Sequence, residues 1–251
     1  MRYFIELAFH GQAYHGWQIQ DNASSVQATI EEKLAVLLKS SIPITGCGRT
    51  DTGVHASQYY AHFDFDFEIE TGQIAYQLNA LLPADIVIQK IMLVAPTLHA
   101  RFDAIDRTYN YIIATKPTPF ERDLCWIYTA QLNIVAMNEA AKLLLEYTDF
   151  ECFSKVKTQV KTFDCNITHA LWLEQPGHKL VFEITANRFL RNMVRAIVGT
   201  LVDVGLGKIN IADFRAILES KNRSKAGQSV PPQGLFLTQI NYPEVALSSY
   251  H

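Results

Sequence analysis

The segment AHFDFDFE, Ala61 to Glu68, sets Ala61, Phe63, Phe65 and Phe67 on one side of the backbone and His62, Asp64, Asp66 and Glu68 on the other. This is the period of a β-strand, whose successive side chains leave opposite faces. It predicts a strand over these residues with one face on a core and one wet face, the pattern of an antiparallel sheet rather than of a doubly covered parallel one.

Moving outward, Arg2 to Phe9 alternates in the same way, with Tyr3, Ile5, Leu7 and Phe9 on one face. Between the two strands, Val26, Ile30, Leu34, Leu37 and Leu38 recur at helical spacing, and Ser24 with Gln27 resembles a capping box, so a helix is expected from about Ser25 to Lys39. A second helix is expected near Gln73 to Leu81, ended by Pro83, followed by a strand from Ile86 to Val94. From Arg107 the pattern begins again. It runs through a strand RTYNYIIA, a helix near Ile134 to Tyr147, a hairpin of HALWLEQ and KLVFEITAN about Pro176-Gly177, helices Phe189 to Val204 and Ala212 to Glu219, and a last strand LFLTQIN. The fold class expected is α+β: two related α/β halves, residues 1–105 and 106–251, sharing a mainly antiparallel central sheet with helices packed against it. The boundary is expected near Ala104 to Arg107.

With 251 residues, 49% of them hydrophobic, the chain can bury a core without help from metals or disulfides. Cys47, Cys125, Cys152 and Cys165 are widely spaced with no CxxC pair, which suits reduced thiols rather than a disulfide framework or thiolate zinc. Lys and Arg number 22 against 25 Asp and Glu, so any nucleic-acid surface must be local. The chain opens directly into a strand-like segment, and no apolar stretch nears the roughly 20 residues that span a bilayer, so a cytoplasmic protein without a membrane partner is expected.

The densest unusual segment is GCGRTDTGVHA, Gly46 to Ala56, where three glycines surround Arg49, Asp51 and two threonines. Such a loop suits tight backbone constraint. By composition it reads as a tight connection with a local Arg49–Asp51 ion pair, or next as a phosphate-cradling loop, for which GxxxxGK[ST] and the dinucleotide fingerprint are both absent. Asp51 with His55 alone would also suit a small-molecule hydrolase.

GRTDTGVHA resembles the catalytic loop of the tRNA pseudouridine synthase A family. The resemblance continues in order through YHGWQIQ, SVQATIEEKL, LNALLPADI, HARFDA, RTYNYII, NRFLRNMVRAIVG and GLFL. It implies isomerisation of tRNA uridines at about positions 38 to 40 of the anticodon stem and loop, on a base flipped from its stack, with no cofactor or metal. It implies Asp51 as the catalytic nucleophile in the first half. In the second half it implies Arg195 as its cationic partner, Tyr109 as an active-site residue against which uracil stacks, and Leu235 as the apolar residue on the base's other side.

Arg49 is matched to an arginine linked with base flipping, and Arg101 to an RNA-contacting arginine. Arg191, four residues before Arg195 on the helix expected there, is a further RNA-binding candidate. Read as pattern alone, Arg195 is a snorkelling helix cation, Tyr109 a strand aromatic and Leu235 a core residue. His10 and His55 read as structural or RNA-contacting rather than metal-binding. The resemblance further implies a homodimer with one tRNA spanning both protomers, whose groove could gather Lys155, Lys157, Lys161, Arg188 and Arg191. FDFDFEIE is acidic and RTYNY less basic than in better-known members, so RNA affinity is expected to be modest or distributed over two subunits. The alternative is a non-catalytic RNA-binding module of the same fold.

Overall fold

The alternation of Arg2 to Phe9 forms strand β1, Arg2–Phe9, which pairs antiparallel with β3, His55–Asp64, on one side and β4, Ile86–Val94, on the other. A two-residue strand β2, Thr45–Gly46, adds to β3. The structure is a computed structural model describing residues 1–155, 160–244 and 247.

The strand expected over Ala61 to Glu68 ends at Asp64, because its partner runs out: Asp64 lies opposite Arg2, and their side chains close the sheet end with an ion pair at 2.8 Å. Phe65 donates its backbone N–H to the Met1 carbonyl, and Phe67 lies beyond the strand, 70% exposed. Nor is the polar face uniformly wet. His62 is buried, stacked on Phe4 at 5.9 Å and edge-on to His99 at 4.7 Å. Its Nδ1 accepts the Ala100 N–H, and burial pushes the imidazole down to about 4, so it is held as the neutral acceptor that this bond requires.

Helix α1, Val26–Leu38, starts one residue later than the capping box suggested. Ser25 is the cap, accepting the Ala28 N–H, whereas the Ser24 hydroxyl donates to the Ala13 carbonyl and the Gln27 amide to that of Ile44. Lys39, at φ 53°, turns the chain out of the helix. Helix α2, Thr71–Leu81, packs on α1 and β4.

Beyond these lie β5, Asp106–Ala114; β7, Ile167–Gln175; and β8, Lys179–Ala186, which pairs antiparallel with both. The short β6, Trp126–Ile127, lies parallel to the end of β5. Helix α3, Ile134–Leu143, is capped by Asn133 and tightens into a 3-10 turn at Leu144–Glu146, ending the α-helix earlier than expected. Helix α4, Met193–Gly205, begins later than Phe189, because Asn192 takes the left-handed conformation at φ 65° and Met193 closes a turn onto the Leu190 carbonyl. Helix α5, Ile211–Ser220, opens on an Asn210/Asp213 capping box, and β9 spans Leu235–Asn241.

These nine strands and five α-helices among the described residues make an α+β fold. Contacts divide the chain into two compact units, Met1–Asp106 with the stretch from Leu237 onward, and Arg107–Phe236. All four cysteines are buried, and no helix among the described residues is long and apolar enough to cross a membrane.

Candidate active site

In the first unit the Asp51 loop connects β2 to β3 and is gripped by the segment that follows β1. Trp17 stacks on Tyr59 at 4.1 Å, and the pair lies so close to Gly46 that a Cβ there would fall 2.2 Å from the Tyr59 hydroxyl. That hydroxyl donates to the Gly48 carbonyl. Gly16, at φ +94°, carries its backbone against the loop itself: a Cβ would lie 2.2 Å from the Thr50 carbonyl oxygen and 3.3 Å from the Asp51 carbonyl carbon. Only glycine serves where positive φ and backbone contact coincide.

On the far side of Asp51, the Gly53 N–H donates to the Tyr14 carbonyl, and the Val54 N–H turns back to that of Asp51. The Gly11 N–H donates to Nδ1 of buried His55 at 3.0 Å, and the His10 ring lies 4.4 Å from the His55 ring. His55 therefore works as a brace for the loop, and a hydrolase with His55 as its exposed base does not fit. Asp51 itself is half-buried; Arg49 and Arg101 are exposed.

In the second unit, Tyr109 and Tyr111 share one face of β5, as residues two apart do. Tyr109 is half-buried and meets the Phe189 ring edge-on at 5.2 Å. Tyr111 is fully buried, donates to the Pro231 carbonyl at 2.8 Å, and has its phenol pushed well above the usual range by desolvation, against the opposing pull of the Arg195 charge. Arg195 donates through Nε to the Val230 carbonyl at 2.7 Å, while the Val230 N–H returns to the Arg195 carbonyl. The polar stretch after α5 is thus laid along α4.

Glycines make that approach close. A Cβ at Gly199 would lie 1.9 Å from the Gln228 carbonyl oxygen, and one at Gly234 would lie 2.8 Å from the Tyr111 ring. Thr200 accepts the Gly227 N–H at 2.9 Å, and Ser229 accepts from Arg223. Leu235, directly after Gly234, is buried. The result is an arginine whose Nε is spent on orientation, in the same unit as a half-exposed aromatic and a buried leucine.

One expectation is corrected here. Arg191 does not share a helical face with Arg195, because it precedes α4 across the left-handed Asn192; it is exposed, and its carbonyl accepts the Lys155 N–H at 3.1 Å. Lys155 and Lys161 are exposed and Arg188 half-buried, while Lys157 lies outside the described residues. Asp51, Arg49 and Arg101 belong to the first unit, and Tyr109, Arg191, Arg195 and Leu235 to the second. The supports Gly16, Trp17, Tyr111, Gly199 and Val230 carry no chemical signature of their own. Four of them nevertheless lie in segments that the resemblance covers, Gly16 and Trp17 in YHGWQIQ, Tyr111 in RTYNYII and Gly199 in NRFLRNMVRAIVG, which is the signal that could have pointed to them; Val230 lies in none.

The first unit thus holds a carboxylate on a braced loop, and the second holds a guanidinium oriented through Nε and a half-buried tyrosine. Residues 140–243 match the family described as tRNA pseudouridine synthase. The tRNA pseudouridine synthase A of Parabacteroides distasonis is 52% identical over 244 residues, covering 97% of this chain and 96% of that one. Its counterpart in Bacteroides fragilis is 50% identical, with 97% of each chain covered. That of Bacillus subtilis is 39% identical over 246 residues, covering 96% of this chain and 99% of the relative. Identity at this level, kept over nearly the full length of both chains, means that the chain belongs to the tRNA pseudouridine synthase A family.

Proposed function

We propose that this protein isomerises uridine to pseudouridine in tRNA, at about positions 38 to 40 of the anticodon stem and loop, with Asp51 as the catalytic carboxylate. The observation that carries the reading is the bracing of the GRTDTGVHA loop around a half-buried aspartate: Gly16 packs on Thr50 and the Asp51 backbone, Tyr59, stacked on Trp17, holds the Gly48 carbonyl, and His55 accepts from Gly11. Loops that only connect elements do not require such support.

In this reading the target uridine leaves its stack, with Arg49 helping to extrude it, and uracil lies between Tyr109 and Leu235. Asp51 either takes the C2′ proton, giving a glycal, and returns it to C2′ when the base rejoins, or attacks the sugar or base covalently and is expelled at that same step; on either route the N1–C1′ bond breaks, the base turns, C5 bonds to C1′ and loses its proton, and N1 gains one. Arg195, held through Nε by the Val230 carbonyl, balances the Asp51 charge. Tyr109 assists proton transfer, and Arg101 and Arg191 contact the RNA. The reaction uses no cofactor. The enzyme acts in the cytoplasm as a homodimer with one tRNA reaching across both protomers.

Release of tritium from tRNA carrying uridine labelled at C5 tests the activity, because formation of the C5–C1′ bond expels that hydrogen. Sustained release without added cofactor is expected; none from any tRNA would overturn the reading. Gly16→Ala should report on the loop: its Cβ would displace Thr50 and Asp51, so a stability loss of about 1–3 kcal/mol is expected together with a fall in kcat of at least tenfold. Thermal unfolding and the same assay check both, and an unchanged kcat would detach the loop from the chemistry.

A further inference from the structure

The HARF loop carries an exposed aromatic that the reaction above leaves unused. Phe102 is 74% exposed, backed on one side by the His99 ring at 4.3 Å, with the Arg101 guanidinium over its ring at 5.6 Å. Single exposed apolar residues are common at protein surfaces; what sets Phe102 apart is the cation beside its ring and the bracing of the loop that carries it.

The backbone beneath it is unusually well tied. The Arg2 guanidinium donates to the Leu98 carbonyl, Ala100 donates its N–H to His62, and the Tyr242 hydroxyl donates to the Ala100 carbonyl. Nδ1 of His99 accepts from the N–H groups of both Arg101 and Phe102, and the Asp103 carboxylate accepts the His99 N–H at 2.7 Å. The buried neutral His62 and the Arg2–Asp64 ion pair thus hold a turn whose outward side chains are Arg101 and Phe102. Because the loop is already ordered, a partner that meets Phe102 does not lose the entropy of fixing it.

Charge separates Phe102 from the other exposed phenylalanine of this unit. Phe67, 70% exposed, stands between Asp66 and Glu68, which repel a phosphate. Phe102 stands beside Arg101, and the neighbouring Asp103 is engaged with the loop backbone. A flat ring next to a guanidinium offers a π-face for a base and a cation for the phosphate attached to it, the combination by which unstacked nucleotides are held.

We infer that Phe102 and Arg101 form a stacking platform for an unpaired nucleotide of the tRNA other than the isomerised uridine: the base lies on Phe102 and its phosphate meets Arg101. This rests on tRNA being the substrate. The platform is a binding element, separate from the chemistry at Asp51.

The test compares Phe102→Ala, Phe102→Trp and Phe67→Ala in the full-length protein, with tritium release giving KM and kcat and with indole fluorescence read on titration with tRNA. Phe102→Ala should raise KM about tenfold, within the range for losing one stacked base, with kcat held within about twofold. Phe102→Trp should restore KM, its added emission should be quenched by tRNA, and Phe67→Ala should leave KM unchanged. An unchanged KM in Phe102→Ala, an equal rise in Phe67→Ala, or no quenching beyond that of the wild-type tryptophans would overturn the inference. A change in oligomeric mass of Phe102→Ala by sedimentation would overturn it as well, making the residue a subunit contact. Quenching without tritium release by the wild type would leave the platform standing and remove the isomerase reading, so the two fail separately.

Discussion

Asp51→Asn is expected to lower pseudouridine formation about ten-thousandfold or more, the scale on which an enzyme suffers when its reacting group is removed. The amide keeps the shape of the carboxylate but can neither accept the C2′ proton nor bond to the sugar. The loop should survive the change, because its bracing runs through backbone groups and neighbouring side chains: Val54 N–H to the Asp51 carbonyl, Gly53 N–H to the Tyr14 carbonyl, and Gly11 N–H to Nδ1 of His55. Thermal unfolding should therefore match the wild type, and tRNA binding should persist or tighten as a negative charge leaves an anionic complex. Turnover by Asp51→Asn within tenfold of the wild type would remove Asp51 from the chemistry.

Arg195→Met should cost on the order of a hundredfold to a thousandfold in kcat, the range seen when a fixed electrostatic group is removed from a reaction site. Methionine fills much of the arginine stem's volume but leaves the Val230 carbonyl without its Nε donor and the proposed Asp51 partner without its cation. Arg195→Lys separates the two effects. It keeps the charge and loses the planar fork that holds Val230 by one edge, so most of the activity should still be lost if orientation matters as much as charge. Single-turnover kinetics with saturating enzyme, alongside unfolding curves, measure this. Full activity in Arg195→Lys would mean that charge alone suffices, and full activity in Arg195→Met would sink the assigned role.

Most elements were legible because their side chains repeat with the local backbone. Ile86–Val94 and Leu235–Asn241 carry enough β-branched and alternating apolar residues to fix both ends. The failures are cases in which a distant part of the chain decides. AHFDFDFE alternates past Asp64, yet the strand stops where its partner β1 begins at Arg2, a fact invisible within the segment. His62 reads as a wet polar residue until Phe4 and the HARF loop cover it. The apolar stripe of α4 continues smoothly back to Phe189, and nothing in that periodicity marks Asn192 as left-handed.

The candidate site divides in the same way. Asp51, Arg195, Tyr109 and Leu235 stand in motifs that assign them roles by resemblance, whereas Gly16, Trp17, His55, Tyr111 and Gly199 stand in those motifs without a supporting role being legible, and Val230 stands in none. Gly16 acts through a close approach to Thr50, and Gly199 through one to Gln228. Val230 acts through a backbone carbonyl, which no side-chain pattern encodes. Sequence displays the reacting groups, and the folded backbone displays what holds them.

The most direct measurement of the central claim is the nucleoside content of a single unmodified tRNA transcript before and after incubation with the purified protein alone, by chromatography and mass spectrometry with the modified position mapped. Conversion of uridine to an isomer of identical mass, confined to the anticodon stem and loop and absent with Asp51→Asn, is the result expected. Uridine left unchanged by the wild-type protein, or conversion that proceeds equally with Asp51→Asn, would contradict the account.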